Sequence, residues 1–291
     1  SYGSFDERIA KLYLNGGDDV VAANVAFSLN RDDGYIKDLN GGPDRGWVHT
    51  WALRSKLRVR PNDSLDLILA YNRVERDDTL ATAQQPFNNN TVTRNTPGVI
   101  LPTRPNETSG LGGELNLVQD TASLTLRADL GFASLVAITA YDNAGQYIDS
   151  DVDSTNIERS RLPVTYYTRS WTQELYLTCE TGPVNWIAGA TLFNQDAGNS
   201  RSQVITNGNP TGPGSSDVSS NIDNNSIALY AQASIDFSDQ LSLTVGGRYT
   251  NERKVFDITN NLTGQQIHGR KRWQVFTPSA TLQYRLSDDA N

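Results

Sequence analysis

Sulfur, histidine and long apolar runs are all scarce in this chain, and each shortage closes off a class of function. Cys179 is the single cysteine in 291 residues, so no internal disulfide and no cysteine metal cluster can form; it falls at an expected turn and reads as a variable residue there. His49 and His268 are the only histidines. Each lies beside a loop, neither belongs to a recognisable nucleophile or carboxylate motif, and both read as ordinary exposed positions. No window approaches about 18 consecutive apolar residues, only 37% of the chain is hydrophobic, and the mean hydropathy is negative, which excludes a helical membrane protein. Positive charge is short as well: 25 Lys and Arg against 33 Asp and Glu leave a net charge of −8, which argues against nucleic acid as a partner. The glycine pairs Gly112-Gly113 and Gly246-Gly247 precede no helix and offer no phosphate cradle. Nothing in the chain calls for a cofactor or for catalysis.

What the chain has in abundance is alternation. Eleven stretches read as β-strands, and their connections run short, long, short, long from one end to the other. The short links are 15–19, 61–64, 131–133, 179–183 and 238–240. The long ones, roughly 31–45, 77–118, 142–163, 194–223 and 257–270, are rich in Asn, Asp, Gly, Ser, Thr and Pro. A meandering transmembrane barrel produces this pattern, with tight periplasmic turns on one side and extracellular loops on the other.

The strand faces agree. Over 226–237, Ile227, Leu229, Ala231, Ala233, Ile235 and Phe237 alternate with Ser226, Tyr230, Gln232, Ser234 and Asp236. Leu241, Leu243, Val245 and Tyr249 alternate with Ser242, Thr244, Gly246, Arg248 and Thr250 in the next strand, and 65–71, 124–130 and 278–286 repeat the code. Within 51–60, Trp51, Leu53, Leu57 and Val59 share one face while Arg54, Lys56, Arg58 and Arg60 share the other. Four cations in a row exclude a dry core, and on a lipid face each would cost roughly 2–4 kcal/mol near the midplane. They are therefore expected to face a wet lumen, together with Arg127 and Arg248 on the polar faces of their own strands. Trp186 and Phe237 near one rim, and Tyr71, Tyr141 and Tyr249 toward the other, fit two interfacial girdles.

Asp149, Asp151 and Asp153 have the opening of a calcium loop, but Ser154 stands where that turn needs glycine and Glu158 comes too early to close it. A solvated loop is expected there, and the acids Asp32, Asp33, Asp77 and Asp78 read likewise as solubilising. The segment 199–220 is expected to be too polar to order itself. The first strand is expected at 4–14 and the last to end near Ser287. With no signal peptide ahead and an odd strand count, 1–291 is expected to be part of a larger barrel domain.

Several stretches together resemble the barrel of a TonB-dependent outer-membrane receptor. They are Arg31-Asp-Asp-Gly-Tyr35; Trp51-Ala-Leu-Arg-Ser-Lys-Leu57 leading into Pro61-Asn-Asp-Ser-Leu65; Trp171-Thr-Gln-Glu-Leu-Tyr-Leu177 running to Asn185-Trp-Ile-Ala-Gly189; and Ala228-Leu-Tyr-Ala-Gln-Ala233 followed by Leu241-Ser-Leu-Thr-Val-Gly-Gly-Arg-Tyr249. The resemblance implies a bacterial outer-membrane protein with lipid around it and a plug domain inside a 22-stranded barrel. It further implies energy drawn from the TonB complex, and a scarce ligand such as a ferric siderophore, haem, a vitamin or a glycan. The plug and the C-terminal strands are expected to lie outside this sequence, and no ligand-binding residue carries over. The resulting expectation is an all-β, antiparallel, up-and-down transmembrane barrel segment of an active-uptake receptor, with a ferric siderophore as first ligand. A passive porin, and then a soluble carbohydrate-binding or adhesin β-protein, are the alternatives.

Overall fold

Period-two alternation is realised as eleven long strands in one antiparallel meander. The computed structural model describes residues 1–80, 96–181 and 184–285. A single 3₁₀ turn, Ser4–Asp6, leads into β1 (Arg8–Gly17) and β2 (Val21–Arg31). After β3 (Lys37–Asp38) come β4 (Val48–Asn62), β5 (Leu65–Asp78) and the two-residue β6 (Glu107–Thr108). Then follow β7 (Glu114–Asp129), β8 (Ser134–Asp151), β9 (Ser160–Thr181), β10 (Val184–Thr206), β11 (Ser216–Ser238), β12 (Leu241–Asn260) and β13 (Gln266–Tyr284). In the large sheet each strand pairs with its neighbours in chain order; β3 and β6 leave it to form a small parallel pair of their own.

The tight turns are built from side chains that cap their own backbone. Asp18 accepts the N–H groups of Val20 and Val21 at 2.9 and 2.8 Å, Asn62 that of Ser64 at 3.0 Å, and Ser238 those of Gln240 and Leu241 at 3.2 and 3.1 Å. Gly131, at φ 84°, donates to Asp129 at 2.8 Å, a backbone conformation that residues with a Cβ rarely adopt. The turn expected at 179–183 is shorter: Cys179 lies inside β9 opposite Trp186, and residues 182–183 fall outside the described residues.

The far side differs from expectation. Most of the supposed loops 142–163 and 194–223 are strand, since β8 continues to Asp151, β9 starts at Ser160, β10 reaches Thr206 and β11 begins at Ser216. Segment 199–220 is thus largely ordered by pairing, and the 257–270 loop shrinks to a hairpin between Asn260 and Gln266. Polar residues here still satisfy their backbones through the ladder. The first strand starts at Arg8 rather than Ser4, and the expected end near Ser287 lies outside the described residues.

Register reveals a further regularity. The row through Trp51 passes Glu75, Val118, Gly145, Tyr167, Gly198, Asn221 and Asp257 to His268. On β4 that row carries the last apolar ring of the stripe, whereas on β13 the corresponding ring is Phe276, eight residues lower. Between them the upper edge descends through Tyr71, Tyr141, Trp171, Leu192, Ile227 and Tyr249. Eight residues at about 3.4 Å over eight strand steps of about 4.8 Å give a slope of roughly 35°, inside the roughly 35–45° tilt of membrane barrel strands. A level apolar band is what strands inclined by this angle would present to a bilayer.

The apolar face is exposed: Leu229, Phe276 and Leu282 are 56%, 64% and 67% accessible. Among the described residues the buried hydrophobics are only Ile36, Ala133, Val136, Val164 and Ala228. No soluble-type core stands behind this sheet. Polar intruders in the stripe find partners within it, as Thr139 Oγ1 and Gln173 Oε1 do at 2.5 Å, a requirement wherever water is absent.

Candidate functional site

Two polar regions offer themselves to a ligand, the wall opposite the apolar face and the cap at the long-loop end. On the wall, β4 carries Arg54, Lys56 and Arg58 on one face by simple alternation, and Arg60 follows where the register with β5 shifts beyond Val59. Arg58 grips Asp66 bidentately, Nε to Oδ1 at 2.8 Å and Nη2 to Oδ2 at 2.7 Å. Asp66 is in turn the register partner of Arg127. Arg58, Arg60 and Arg127 thus gather around one carboxylate near the tight-turn end. Arg54 and Lys56 stand opposite Asn72 and Ala70 on one side and Ala26 and Asn24 on the other. Both are exposed and bring cationic charge to a polar neutral surface.

Arg248 belongs elsewhere. It lies on β12, seven strand steps from β4, with its guanidinium 5.6 Å from the Tyr230 ring centre. Tyr230 donates its hydroxyl to Glu174 Oε1 at 3.1 Å. The six sequence-selected cations therefore form two groups. The Glu174–Tyr230–Arg248 ladder was not singled out from sequence; its members lie on three strands, and only register shows that they meet.

The cap is where burial concentrates. β3 and β6 tie the segment after β2 to the segment before β7. Arg45 holds Asp38 Oδ2 through Nε at 3.0 Å and Nη2 at 2.7 Å, and donates from Nη1 to the Leu111 carbonyl at 3.1 Å. Asn40 Nδ2 reaches the Ser109 carbonyl at 2.8 Å. Asp151 accepts the N–H groups of Leu111 at 2.8 Å and Ser154 at 3.0 Å, and Asp153 those of Arg159 and Ser160 at 3.1 and 2.8 Å. Arg161 Nε bonds both oxygens of Asp149, at 2.8 and 2.9 Å.

The expectation of solvated acids holds for Asp33 and Asp77, which are exposed, and is corrected for three others. Asp78, Asp149 and Asp151 are buried, with Arg76 on Asp78 at 2.5 Å. These carboxylates fasten loops instead of solubilising them. Among the described residues no group of three His, Cys, Asp or Glu side chains is placed to hold a metal ion.

Electrostatics follows environment. Burial pushes the Asp151 carboxyl up, helped by the charge of Asp153 and opposed by the N–H donors. Glu107 is held below the usual carboxylate range by the N–H and hydroxyl of Thr103 and the N–H of Arg104. At Asp217, burial raises the carboxyl but donors outweigh it: Arg201 at 2.8 Å, Asn261 at 2.8 Å and Gln203 at 2.9 Å, leaving a net lowering. Tyr35 and Val152 remain more than half exposed, so the cap presents apolar as well as polar contact surface. The arrangement can bind and position a ligand.

Residues 22–291 match the family described as TonB dependent receptor-like, beta-barrel. The chain belongs to that family. Solved structures share the fold of this receptor barrel at low identity. The ferric yersiniabactin uptake receptor FyuA from Yersinia pestis aligns over 98% of this chain and 43% of its own, with 16% identity and a TM-score of 0.74. The siderophore receptor PiuA from Acinetobacter baumannii aligns over 99% and 46%, with 12% identity and a TM-score of 0.74. The copper transporter OprC aligns over 99% and 42%, with 11% identity and a TM-score of 0.65. The chain spans less than half the length of these proteins. No curated protein sequence matches it. The expected all-β antiparallel barrel segment and the resemblance to TonB-dependent receptors are thus both shown, and the family is one of transport receptors rather than enzymes.

Proposed function

We propose that this chain is the barrel portion of an outer-membrane receptor that actively imports a scarce nutrient, with a ferric siderophore as first ligand and TonB as the energy source. A plug domain and the remaining strands would be supplied by the parent receptor. The observation that carries the reading is family membership joined to a polar wall bearing Arg54 and Lys56, opposite neutral residues, beneath an ordered polar cap. Such a wall favours an anionic chelate or an acidic plug surface through its field, an effect that weakens with salt. The ferric yersiniabactin uptake named for FyuA and the siderophore named for PiuA support this choice; the copper named for OprC marks the alternative cargo.

The test is uptake of radiolabelled ferric siderophores by a strain lacking the parent gene, with the gene restored, and with TonB removed. The reading expects loss, recovery and renewed loss. Uptake that persists without TonB supports a passive porin instead, and unchanged iron uptake in the deletion strain rejects the ferric assignment.

A further inference from the structure

On the face opposite the lipid stripe, an apolar seam crosses the upper part of the sheet at right angles to the strands. Ala144, Thr168, Ala197, Ile222 and Phe256 share one register row. Leu117 and Tyr166 belong to the row above and flank the small residues. Directly beneath, Thr121, Asp142, Ser170, Gln195 and Asn224 make a fully polar row. The seam is the floor of a groove of about 400 Å³ running from Leu117 to Ile222, within the range of roughly 300–1,000 Å³ for small-molecule sites. Four strand steps of about 4.8 Å make it about 19 Å long.

Lipid does not account for this apolar surface. Ile222 lies five residues beyond Ile227, about 14 Å above the apolar edge at the inferred tilt, and on the other side of the sheet. Yet Tyr166, Ile222 and Phe256 are 45%, 46% and 40% accessible, and apolar surface left contiguous and open in this way marks a binding groove. Its shape selects the occupant. A groove several strands long and one row wide, floored by alanine and threonine, fits an extended alkyl chain; a planar ring would cover a single step.

Charge waits at one end. Lys254 follows Asn224 in the polar row, and Lys271 is its register partner. Lys254 Nζ has Glu252 at 2.9 Å. Lys271 Nζ lies 5.2 Å from the Trp273 ring centre and enters no ion pair among the described residues. Opposed like charges repel unless an anion joins them. Beside them Asn224 Oδ1 is buried without a donor, an acceptor that a ligand N–H or O–H would satisfy.

We propose that the cargo of this receptor is an acyl-tailed anionic chelate, its alkyl chain lying along the seam from Ile222 toward Leu117 and its charged head at Lys254 and Lys271. The proposal rests on the ferric-chelate reading above and adds the tail to it.

The experiment uses the full-length parent receptor in amphipol, with empty amphipol as the partition blank. The probes are two radioiron complexes of one citrate-centred dihydroxamate, identical except for a lauroyl or an acetyl group. Burying only two methylenes of the longer chain gives about tenfold tighter binding, so wild-type protein should favour the lauroyl complex by at least that factor. Leu117→Asn/Ile222→Asn should bring the ratio of the two affinities close to one. Lys254→Gln/Lys271→Gln should weaken both complexes by about tenfold or more, the loss expected for hydrogen bonds to a charged group. If the groove variant fails to insert, Ile222→Ala alone should lower the ratio about threefold.

Equal wild-type affinities, or a preference that survives in the groove variants, overturn the acyl site. Undiminished binding in the lysine variant overturns the placement of the head. Displacement by free laurate at the concentration that the lauroyl complex itself requires would make a fatty acid the ligand and overturn the chelate as cargo. Failure of wild-type protein to bind either complex rejects the ferric-chelate reading together with the proposal; binding without regard to the tail rejects the proposal alone.

Discussion

Ala231 and Gln232 are sequence neighbours on opposite faces of β11, and arginine at each should have sharply different consequences. The apolar stripe of β11 runs Ile235, Ala233, Ala231, Leu229, Ile227. Its eight-residue span at about 3.4 Å per residue, inclined by roughly 35°, covers about 22 Å of membrane normal, close to the ~25 Å apolar band of outer-membrane barrels. Ala231 sits at its centre. Ala231→Arg removes no packing group and adds a charge at the midplane, so the expected cost is about 2–4 kcal/mol, a shift of roughly 30- to 1,000-fold in the folding equilibrium. Gln232→Arg places the same charge on the opposite face, across from Gly246 and Ile187; if that face is wet, as proposed, less than about 1 kcal/mol is expected. Full-length receptor folded into lipid vesicles, titrated with guanidinium and followed by tryptophan fluorescence, gives both values. Equal costs would refute the assignment of faces, and a larger cost at Gln232 would invert it.

Asp38→Ala should release the β3–β6 clip by leaving Arg45 without its carboxylate, at a local cost of about 1–3 kcal/mol; faster amide exchange at Lys37 and Leu39 checks it. Asp217 and Asp151 lie ten residues beyond Ile227 and Tyr141, outside the apolar band, and should answer acid in opposite ways. Asp217 titrates lower in the folded chain, so its contribution is full above the ordinary carboxylate value and is lost as pH falls through and below it. Asp151 titrates higher because burial disfavours its charge, so its contribution to cap stability is full below the ordinary carboxylate value and is lost as pH rises through the raised one, although the N–H bonds themselves favour the charged form. Hydrogen exchange at Asn261 and Leu111, corrected for intrinsic pH dependence, reads the two signs; parallel responses would contradict the assignments. At Gly189 an added Cβ would fall 2.6 Å from Tyr176 Cβ and 2.8 Å from the Tyr230 ring, so Gly189→Leu should cost about 1–3 kcal/mol through overpacking, measured as a lower guanidinium midpoint.

Strand existence and facing were legible in the sequence because period two survives wherever one side meets lipid and the other water. The Trp51/Arg54 and Leu229/Tyr230 alternations show it plainly. Strand ends beyond the apolar edge were not legible. In β10, Asn194 to Gln203 lies past Leu192 at the apolar edge and both faces are mostly polar, so alternation carries no signal while the backbone ladder continues. The same cause hid the cap. Asp149 and Asp151 look like solubilising acids until Arg161 and the Leu111 N–H, reached across other strands, are placed against them. Arg58 and Arg127 could be put on one face from sequence, but their shared carboxylate follows from register, which a single chain does not display.

Strand length itself bears on how the receptor would work. A strand tilted like these crosses the apolar band with about 9–11 residues, yet β9 to β12 run for 20 to 23. Half of each hairpin therefore stands outside the membrane as paired sheet, roughly 30 Å of it at the inferred tilt. Loops carried on such a wall are anchored at their bases by a continuous ladder, and Asp217 locks one of them by tying Arg201, Gln203 and the Asn261 hairpin together. Under the uptake reading proposed above, capture at this surface would need little ordering of the β9–β12 side, and the entropy cost of binding would fall instead on segments without such clamps. Cutting the clamp with Asp217→Asn should accordingly weaken ligand binding through a faster off-rate, leaving the on-rate set by the field of the charged wall. Stopped-flow binding to the parent receptor separates the two, and a slower on-rate with an unchanged off-rate would mean that the clamp acts in encounter instead of retention.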